Sequence, residues 1–424
     1  MTVGRLSAFD AGLLALETDE APLHIGALLI LDGPAPDADL VRAELAHRAA
    51  ALRECRQRVH RRPGDLRRPV WRDAPDVVPE AQLHAASLEP PGDRAALCRL
   101  VAQLMRVRLD TSGPLWQVWR IDGLEDGSWA LLVTAHHTLI DGVSGAGLLT
   151  ALLSSTDGNV RRVGSRVAPP AEPGLRERVR RIRQGVRTVA VPDLPPSLLN
   201  GALGRHRTWG WFTADLADLR RVAERSDCTI NDVYLAALSG GLRTVLGNRA
   251  ALGTETRVRV LVPVSTRRGP SDIRPGTMNA AFFVELPVHR RSAQEMLLDV
   301  ADQTSRAKTD GVALATEQLL RVGDLVPAPL LDRAARAYAR RGQARVNLVA
   351  SDVRGPRTPL SLCGRQVREV VPCVPLALDV RATSALMSYA GRASLSVTVD
   401  SAVVPDAGLL VTAVAASLGE LVQG

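Results

Sequence analysis

The sequence predicts an α/β protein, because segments with the period of a strand alternate with segments that have the period of a helix. The chain has 424 residues, which exceeds the size of one ordinary domain. A proline-rich, basic stretch interrupts it near the middle. We therefore expect an N-terminal domain over residues 1–155, a linker over 156–207 and a C-terminal domain over 208–424.

The first half contains three strand-like segments and two helix-like segments. Strands are predicted at 24–31, 115–121 and 128–136, and helices at 37–52 and 93–107. The last two strands are separated by Leu124-Glu125-Asp126-Gly127, which is typical of a hairpin connection. This half is therefore expected to form one α/β layer.

The second half repeats this style after the linker. Helices are predicted at 214–226, 234–246, 293–307 and 327–339, and strands at 257–264, 280–285, 345–351, 367–374 and 392–399. Thr229 is a good N-cap for the second of these helices. A second α/β domain follows from this pattern.

The linker contains a basic amphipathic helix, predicted over 175–186 between proline-rich segments. Leu175, Val179, Ile182 and Val186 share one face of this helix, and arginines occupy most of the rest. Such a helix can lie on an anionic membrane. It can also pack on its own protein with solvated arginines, which is the interpretation we prefer.

Composition narrows the class of protein. The five cysteines are scattered without Cys-x-x-Cys spacing, so neither a disulfide framework nor a zinc site is indicated. Because the N-terminus has no signal-peptide pattern and no apolar run reaches the ~20 residues of a membrane span, a cytoplasmic protein is expected. The net charge is +8, yet aromatic residues make up only 3% and no nucleic-acid motif is present, so no nucleic-acid partner is expected.

The segment most informative about chemistry lies at the end of the strand at 128–136, where His136 and His137 precede Asp141 and Gly142. Alternation along a strand points the two histidines to opposite faces. One imidazole can then act as a general base while its neighbour is held by the structure, which suits acid/base chemistry and not metal chelation. Asp141, on a turn flanked by Gly142 and Gly145, is expected to organise the loop.

The pattern His-His-x-x-x-Asp-Gly resembles the active-site motif of the coenzyme-A-dependent acyltransferases, a superfamily that includes chloramphenicol acetyltransferases and peptide-synthetase condensation domains. Several other blocks occur in the order typical of bacterial wax ester synthase/diacylglycerol acyltransferases: Leu6-Ser7-Ala8-Phe9-Asp10, Leu16-Glu17-Thr18, Pro22-Leu23-His24-Ile25-Gly26, Pro114-Leu115-Trp116, Leu199-Asn200-Gly201, Arg205-His206-Arg207, Asn231-Asp232-Val233, Pro263-Val264-Ser265, and residues 347–351 with Gly355-Pro356. The resemblance covers essentially the whole chain. Thr134, Thr138 and Asp352 depart from the pattern of that family.

The resemblance implies two similar sandwich domains of the chloramphenicol acetyltransferase type, with an active-site tunnel at their interface. It also implies transfer of a fatty acyl group from acyl-CoA, a co-substrate, to a hydrophobic hydroxyl acceptor. A long-chain alcohol would give a wax ester and diacylglycerol would give triacylglycerol, with no bound cofactor. His137 would be the general base, no acyl-enzyme would form, and His136 would support the fold.

Several alternatives stay open at this point. The donor to the oxyanion is Asn231 as first choice, with the hydroxyls of Ser144 and Thr138 and the N–H groups near Gly142 as the others. The acceptor is a simple lipid or a specialised hydroxyl, such as that of a polyketide, and a non-catalytic acyl-chain-binding role is a third class. The residues that hold coenzyme A are not assigned. Peripheral contact of the protein with the inner membrane face or with lipid inclusions also stays open.

Overall fold

The protein is described here by a computed structural model that covers residues 2–61, 66–153, 183, 191–195, 197–248, 256–265, 279–309, 326–342 and 345–424. Apart from Arg183, the linker helix expected at 175–186 lies outside these ranges. In the ranges that are covered, no helix has the length and hydrophobicity needed to cross a bilayer.

Within the ranges given above, the β-structure consists of two six-stranded sheets and one small sheet, with strands numbered in chain order. The first large sheet consists, in spatial order, of Ser361–Leu362 (β12), Arg365–Cys373 (β13), His24–Leu31 (β2), Trp129–His136 (β7), Trp116–Asp122 (β6) and Leu83–Ser87 (β5). The second consists of Asn279–Leu286 (β10), Val258–Ser265 (β9), Leu348–Arg354 (β11), Ala382–Tyr389 (β14), Arg392–Asp400 (β15) and Arg207–Asp215 (β8). The small sheet consists of Thr2–Arg5 (β1), Val70–Asp73 (β4) and Gln57–His60 (β3).

The described residues also form α-helices. They are Ala8–Leu16 (α1), Ala38–Ala51 (α2), Arg94–Leu104 (α3), Gly142–Leu153 (α4), Leu216–Arg225 (α5), Ile230–Gly247 (α6), Ala293–Thr309 (α7), Ala328–Gly342 (α8) and Ala407–Gln423 (α9). Thr229 caps α6 in a capping box with Asp232, which confirms the helix start expected from the sequence. The predicted α/β fold class is confirmed.

The first large sheet is completed by a strand from far along the chain. β13 pairs antiparallel with β2, with Val371 opposite Leu28 and Val370 opposite Leu29. These residues fall within 208–424, the range expected to form the C-terminal domain, although their hydrogen bonds are with the sheet of the first half. Periodicity within a segment predicts a strand but not its partner, so the pairing of β13 with β2 was not predicted.

The two large sheets are joined by polar and aromatic contacts around β8. Trp209 and Trp211 of β8 pack in one apolar cluster with residues of α3 and with Val371 of β13. The Arg94 guanidinium lies 3.9 Å from the centre of the Trp211 ring, and the Trp211 Nε1–H donates to Glu369 Oε1 at 2.8 Å. The halves of the molecule are therefore in direct contact.

Strand β7 is the central element for the site. All eight of its residues are buried. Leu131 and Val133 belong to the apolar cluster on one face of the sheet, and Ala130 and Leu132 belong to the cluster on the other face. Because both faces are covered, the strand reads as a continuous apolar run, and its C-terminal end is held rigidly.

Candidate active site

Backbone hydrogen bonds fix the two histidines at the end of β7. The His136 N–H donates to Leu115 O, and the His137 N–H donates to Leu23 O, each at 2.9 Å. The chain then turns, and the Leu139 N–H donates to His136 O at 2.8 Å. The Pro22–Gly26 and Pro114–Trp116 blocks therefore supply the carbonyls that hold this strand end.

His137 opens into a cavity of about 120 Å³ between the two large sheets. The lining comes from β2, β7, β13 and α4 on one side and from β9, β11 and β14 on the other, and it is mostly aliphatic: Ile25, Gly26, Ala27, Val133, Ala135, His137, Ile140, Gly145, Leu148, Leu149, Pro263, Val349, Ser351, Val353, Pro372, Cys373, Val374, Ala385 and Met387. Val133, Ala135 and His137 lie on the same face, as alternation along β7 requires.

Burial lowers the pKa of His137 below its ordinary value of 6.5, and the nearby Asp141 carboxylate only partly opposes this shift. The imidazole is therefore neutral at pH 7. A neutral imidazole in an apolar cavity can accept a proton from a hydroxyl group bound there.

His136 points away from the cavity and is fully buried. Its Nδ1 accepts the Thr138 N–H at 3.1 Å and lies 2.8 Å from Thr138 Oγ1. Because Nδ1 accepts a backbone N–H, the ring proton is on Nε2, which lies 3.6 Å from Glu17 Oε1. This separation between Nε2 and Oε1 is longer than a hydrogen bond.

Glu17 is the centre of a buried charge network behind His136. Its carboxylate accepts the Leu23 N–H at 3.0 Å and pairs with Arg108 at 3.1 Å. Burial alone would raise the pKa of Glu17, but contacts with His136, the Leu23 N–H and Arg108 outweigh it and lower the pKa from 4.5 to about 2. The carboxylate thus stays ionised and anchors the segment whose carbonyl holds His137.

His24 lies directly opposite His136 in the β2–β7 register. Burial, with smaller contributions from His136 and Arg207, lowers the pKa of His24 from 6.5 to about 4, against the opposing charge of Glu17. This imidazole is neutral at pH 7, and it is a structural neighbour of the site with no place on the cavity lining.

Asp141 caps α4, which begins at Gly142. Its Oδ1 accepts the Ser144 N–H at 2.9 Å and the Ser144 hydroxyl at 2.7 Å, while the Asp141 N–H donates to Ser144 Oγ at 2.9 Å. The carboxylate is fully buried and directed at its own loop. These bonds join Asp141 to the first turn of α4, and the organising role expected from the sequence stays a prediction.

The structure separates the candidate donors to an oxyanion. The hydroxyls of Ser144 and Thr138 are engaged with Asp141 and His136. Asn231 lies in the first turn of α6 and is not among the residues that line the His137 cavity. Ser351, in contrast, lines that cavity together with His137.

Sequence reasoning did not single out Ser351 or Glu17 for a role. The signal for Ser351 was the alternation of Val349, Ser351 and Val353 along β11, which places all three on the cavity side. Glu17 was visible only within the Leu16-Glu17-Thr18 block, because its contacts with Leu23, Arg108 and His136 depend on the fold.

Comparisons with known proteins identify the family of this chain. The family model described as the wax ester synthase/diacylglycerol acyltransferase catalytic domain matches residues 6–189 and 168–234, and the model of the C-terminal domain of that family matches 276–422. A protein described as a probable diacylglycerol O-acyltransferase of Mycobacterium tuberculosis is 33% identical over 444 aligned residues, covering 99% of this chain and 96% of that protein.

Two solved structures share the fold. A wax ester synthase/diacylglycerol acyltransferase from Marinobacter aquaeolei VT8 superposes with a TM-score of 0.71 at 24% identity, covering 99% of this chain and 98% of that one. The starter condensation domain of rhizomide synthetase, solved as a mutant in complex with C8-CoA and Leu-SNAC, superposes with a TM-score of 0.61 at 13% identity, covering 100% and 93%. The chain therefore belongs to the wax ester synthase/diacylglycerol acyltransferase family and is an acyltransferase.

Proposed function

We propose that this protein transfers a fatty acyl group from acyl-CoA to the hydroxyl group of a long-chain alcohol or a diacylglycerol. The observation that carries the proposal is the neutral His137 imidazole in a largely aliphatic cavity between the two sheets. An aliphatic lining suits acyl and alkyl chains, because burial of each CH₂ group contributes about 0.8 kcal/mol. The C8-CoA bound to a protein of the same fold supports acyl-CoA as the donor.

His137 acts as the general base. It takes the proton of the acceptor hydroxyl, and the resulting alkoxide attacks the thioester carbonyl of acyl-CoA. The tetrahedral intermediate then expels the thiolate of coenzyme A, which recovers the proton from the His137 imidazolium. No acyl-enzyme is required, and burial raises the pKa of the Cys373 thiol in the same cavity, so that thiol is a poor nucleophile.

Ser351 is the donor to the oxyanion in this mechanism. Ser351 lines the His137 cavity, whereas the hydroxyls of Ser144 and Thr138 are engaged in holding Asp141 and His136. A positioned donor of this kind typically contributes a factor of about 10²–10³ to turnover. Asp141 and Glu17 are positioning residues, which act through the loop and the strand end that carry His137.

The proposed acceptors are water-insoluble, so we also propose that the protein works at a lipid surface, a membrane or a lipid inclusion. The five cysteines are all free, which supports the reducing compartment expected from the sequence.

Release of free thiol from palmitoyl-CoA tests this function, with hexadecanol, dioleoylglycerol and no acceptor compared in parallel. We expect release that depends on an acceptor, with formation of palmityl palmitate or of a triacylglycerol detected by chromatography. Equal release without acceptor would indicate a thioesterase. Absence of release from folded protein with either acceptor would refute a simple lipid acceptor and favour a specialised hydroxyl substrate.

A further inference from the structure

One surface of the protein, which we call the basic face, is built from the small sheet, residues 66–69 and helix α8. The two parts are contiguous, because the Ala328 N–H donates to Leu66 O at 3.0 Å and Arg61 pairs with Asp332 at 3.2 Å. The small sheet belongs to neither of the large sheets. It therefore presents a separate surface.

The described segments of the basic face carry far more positive than negative charge. The arginines are Arg5, Arg58, Arg61, Arg67, Arg68, Arg72, Arg333 and Arg336, and the carboxylates are Asp73 and Asp332. Asp73 pairs with Arg53 and Asp332 pairs with Arg61. Of the arginines, Arg58 is paired with the exposed Asp76, which lies three residues after the end of β4. A surface of this charge attracts anionic partners.

Two leucines project from the same surface. Leu66 is 66% exposed and Leu330 is 60% exposed, and their segments are linked by the bond between Leu66 O and the Ala328 N–H. Helical spacing puts Leu330 on one exposed face with Arg333, Ala334 and Ala337. The opposite side of α8 packs inward, where the buried Ala328 and the half-buried Leu331 lie.

We propose that the basic face docks on the surface of an anionic lipid layer, with Leu66 and Leu330 among the headgroups and the arginines on the lipid phosphates. Exposed leucines surrounded by arginines match a layer that has an apolar interior under an anionic surface. A nucleic acid or an acidic protein would satisfy the arginines but would leave the leucines in water. This inference deepens the proposed function, since it gives the enzyme access to an acceptor that resides in the lipid.

Flotation with phosphatidylcholine vesicles, with and without phosphatidylglycerol, tests the proposal on the full chain in the absence of acyl-CoA. We expect binding to the anionic vesicles only. Arg333→Gln with Arg336→Gln should weaken it by about 25-fold, since each arginine near an anionic surface contributes about fivefold. Leu66→Ser with Leu330→Ser should weaken it to a similar degree.

Matched controls come from exposed residues elsewhere. Leu409→Ser replaces a leucine that is 60% exposed at the start of α9, and Arg220→Gln with Arg221→Gln removes two exposed charges from α5. These variants should bind like the wild type. Equal binding to neutral vesicles, unchanged binding of the basic-face variants, or loss of binding only when the arginines between 176 and 183 are replaced would overturn the proposal.

The outcome is distinguishable from failure of the proposed function. Vesicle binding without acyl transfer would refute the function and leave the docking surface standing. Acyl transfer to a detergent-dispersed acceptor without vesicle binding would refute the docking surface and leave the function standing.

Discussion

Replacing Glu17 by glutamine removes the charge at the centre of the network behind His136 while it keeps the shape of the side chain. The amide oxygen of glutamine can still accept the Leu23 N–H, which lies 3.0 Å from Glu17 Oε1. It cannot pair with Arg108, and it no longer offers a negative charge to His136 Nε2 at 3.6 Å. The variant therefore isolates the electrostatic contribution of this carboxylate.

The shift in pKa gives the size of that contribution. Lowering the pKa of Glu17 from 4.5 to about 2 corresponds to about 3 kcal/mol in favour of the ionised carboxylate. Arg108 is 36% exposed, so water screens part of the pair, and we expect Glu17→Gln to lower the free energy of unfolding by about 2 kcal/mol at pH 7. Turnover should fall by less than tenfold, because His137 itself is unchanged.

The direction of the pKa shift of Glu17 determines how its contribution to stability depends on pH. The pKa is lower in the folded state, so the contribution of Glu17 is complete above pH 4.5 and is lost as the pH falls toward 2. Urea unfolding of the wild type and the variant at pH 7 and pH 3 measures it, and the difference should shrink by about half or more. Glu44→Gln, which breaks a more exposed pair with Arg48, is the control and should cost about 0.5 kcal/mol or less. A Glu17→Gln difference that is zero at pH 7, or the same at both pH values, would refute the reasoning.

Three further predictions follow from the site. Ser351→Ala should lower kcat by about 10²–10³ with little change in KM, whereas Ser144→Ala should mainly lower the free energy of unfolding, by about 1 kcal/mol. Steady-state kinetics and urea unfolding measure the two effects, and the reverse result would assign the oxyanion donor to Ser144. Gly145→Ala adds a methyl group to the cavity, 3.4 Å from Ile140 Cδ1, and should leave the fold intact. It should lower kcat/KM for palmitoyl-CoA by about tenfold more than for octanoyl-CoA. Equal losses for both donors would show that this part of the cavity does not hold the acyl chain. The pKa of His24 is about 4 in the folded state and 6.5 in the unfolded state, so the free energy of unfolding of the wild type should fall by up to about 3 kcal/mol as the pH falls from 6.5 to 4. Urea titrations over that range should show a smaller fall for His24→Asn. Parallel curves for the two proteins would rule out His24 as the acid-sensitive group.

Local periodicity predicted most of the fold. β2 was placed at the same residues that the structure shows, and β7, α2, α3 and α6 were placed within a few residues. β8 was missed, because its tryptophans follow a proline-rich stretch and do not alternate with polar residues. β14 and α9 were also missed. α9 is a nearly continuous apolar segment in which periodicity does not distinguish strand from helix, and in β14 the polar residues Thr383, Ser384 and Ser388 do not alternate with the apolar ones.

The candidate site was predicted to the extent that it is local in sequence. His136, His137 and Asp141 lie within six residues, so strand alternation and turn chemistry were enough to assign opposite directions to the two rings. Ser351 reaches the cavity only because β11 pairs in parallel with β14 in the second sheet. Contacts that join distant segments depend on strand pairing, and no pattern within one segment specifies the partner of a strand.

The central claim is that His137 is the general base of an acyl transfer, and turnover of His137→Ala tests it most directly. The measurement is thiol release from palmitoyl-CoA with hexadecanol, made on wild type and variant proteins with matching circular dichroism spectra and thermal midpoints. The mechanism predicts a loss in kcat of about 10²–10⁴. A folded variant whose kcat stays within about tenfold of the wild type would contradict the assignment of His137 as the base.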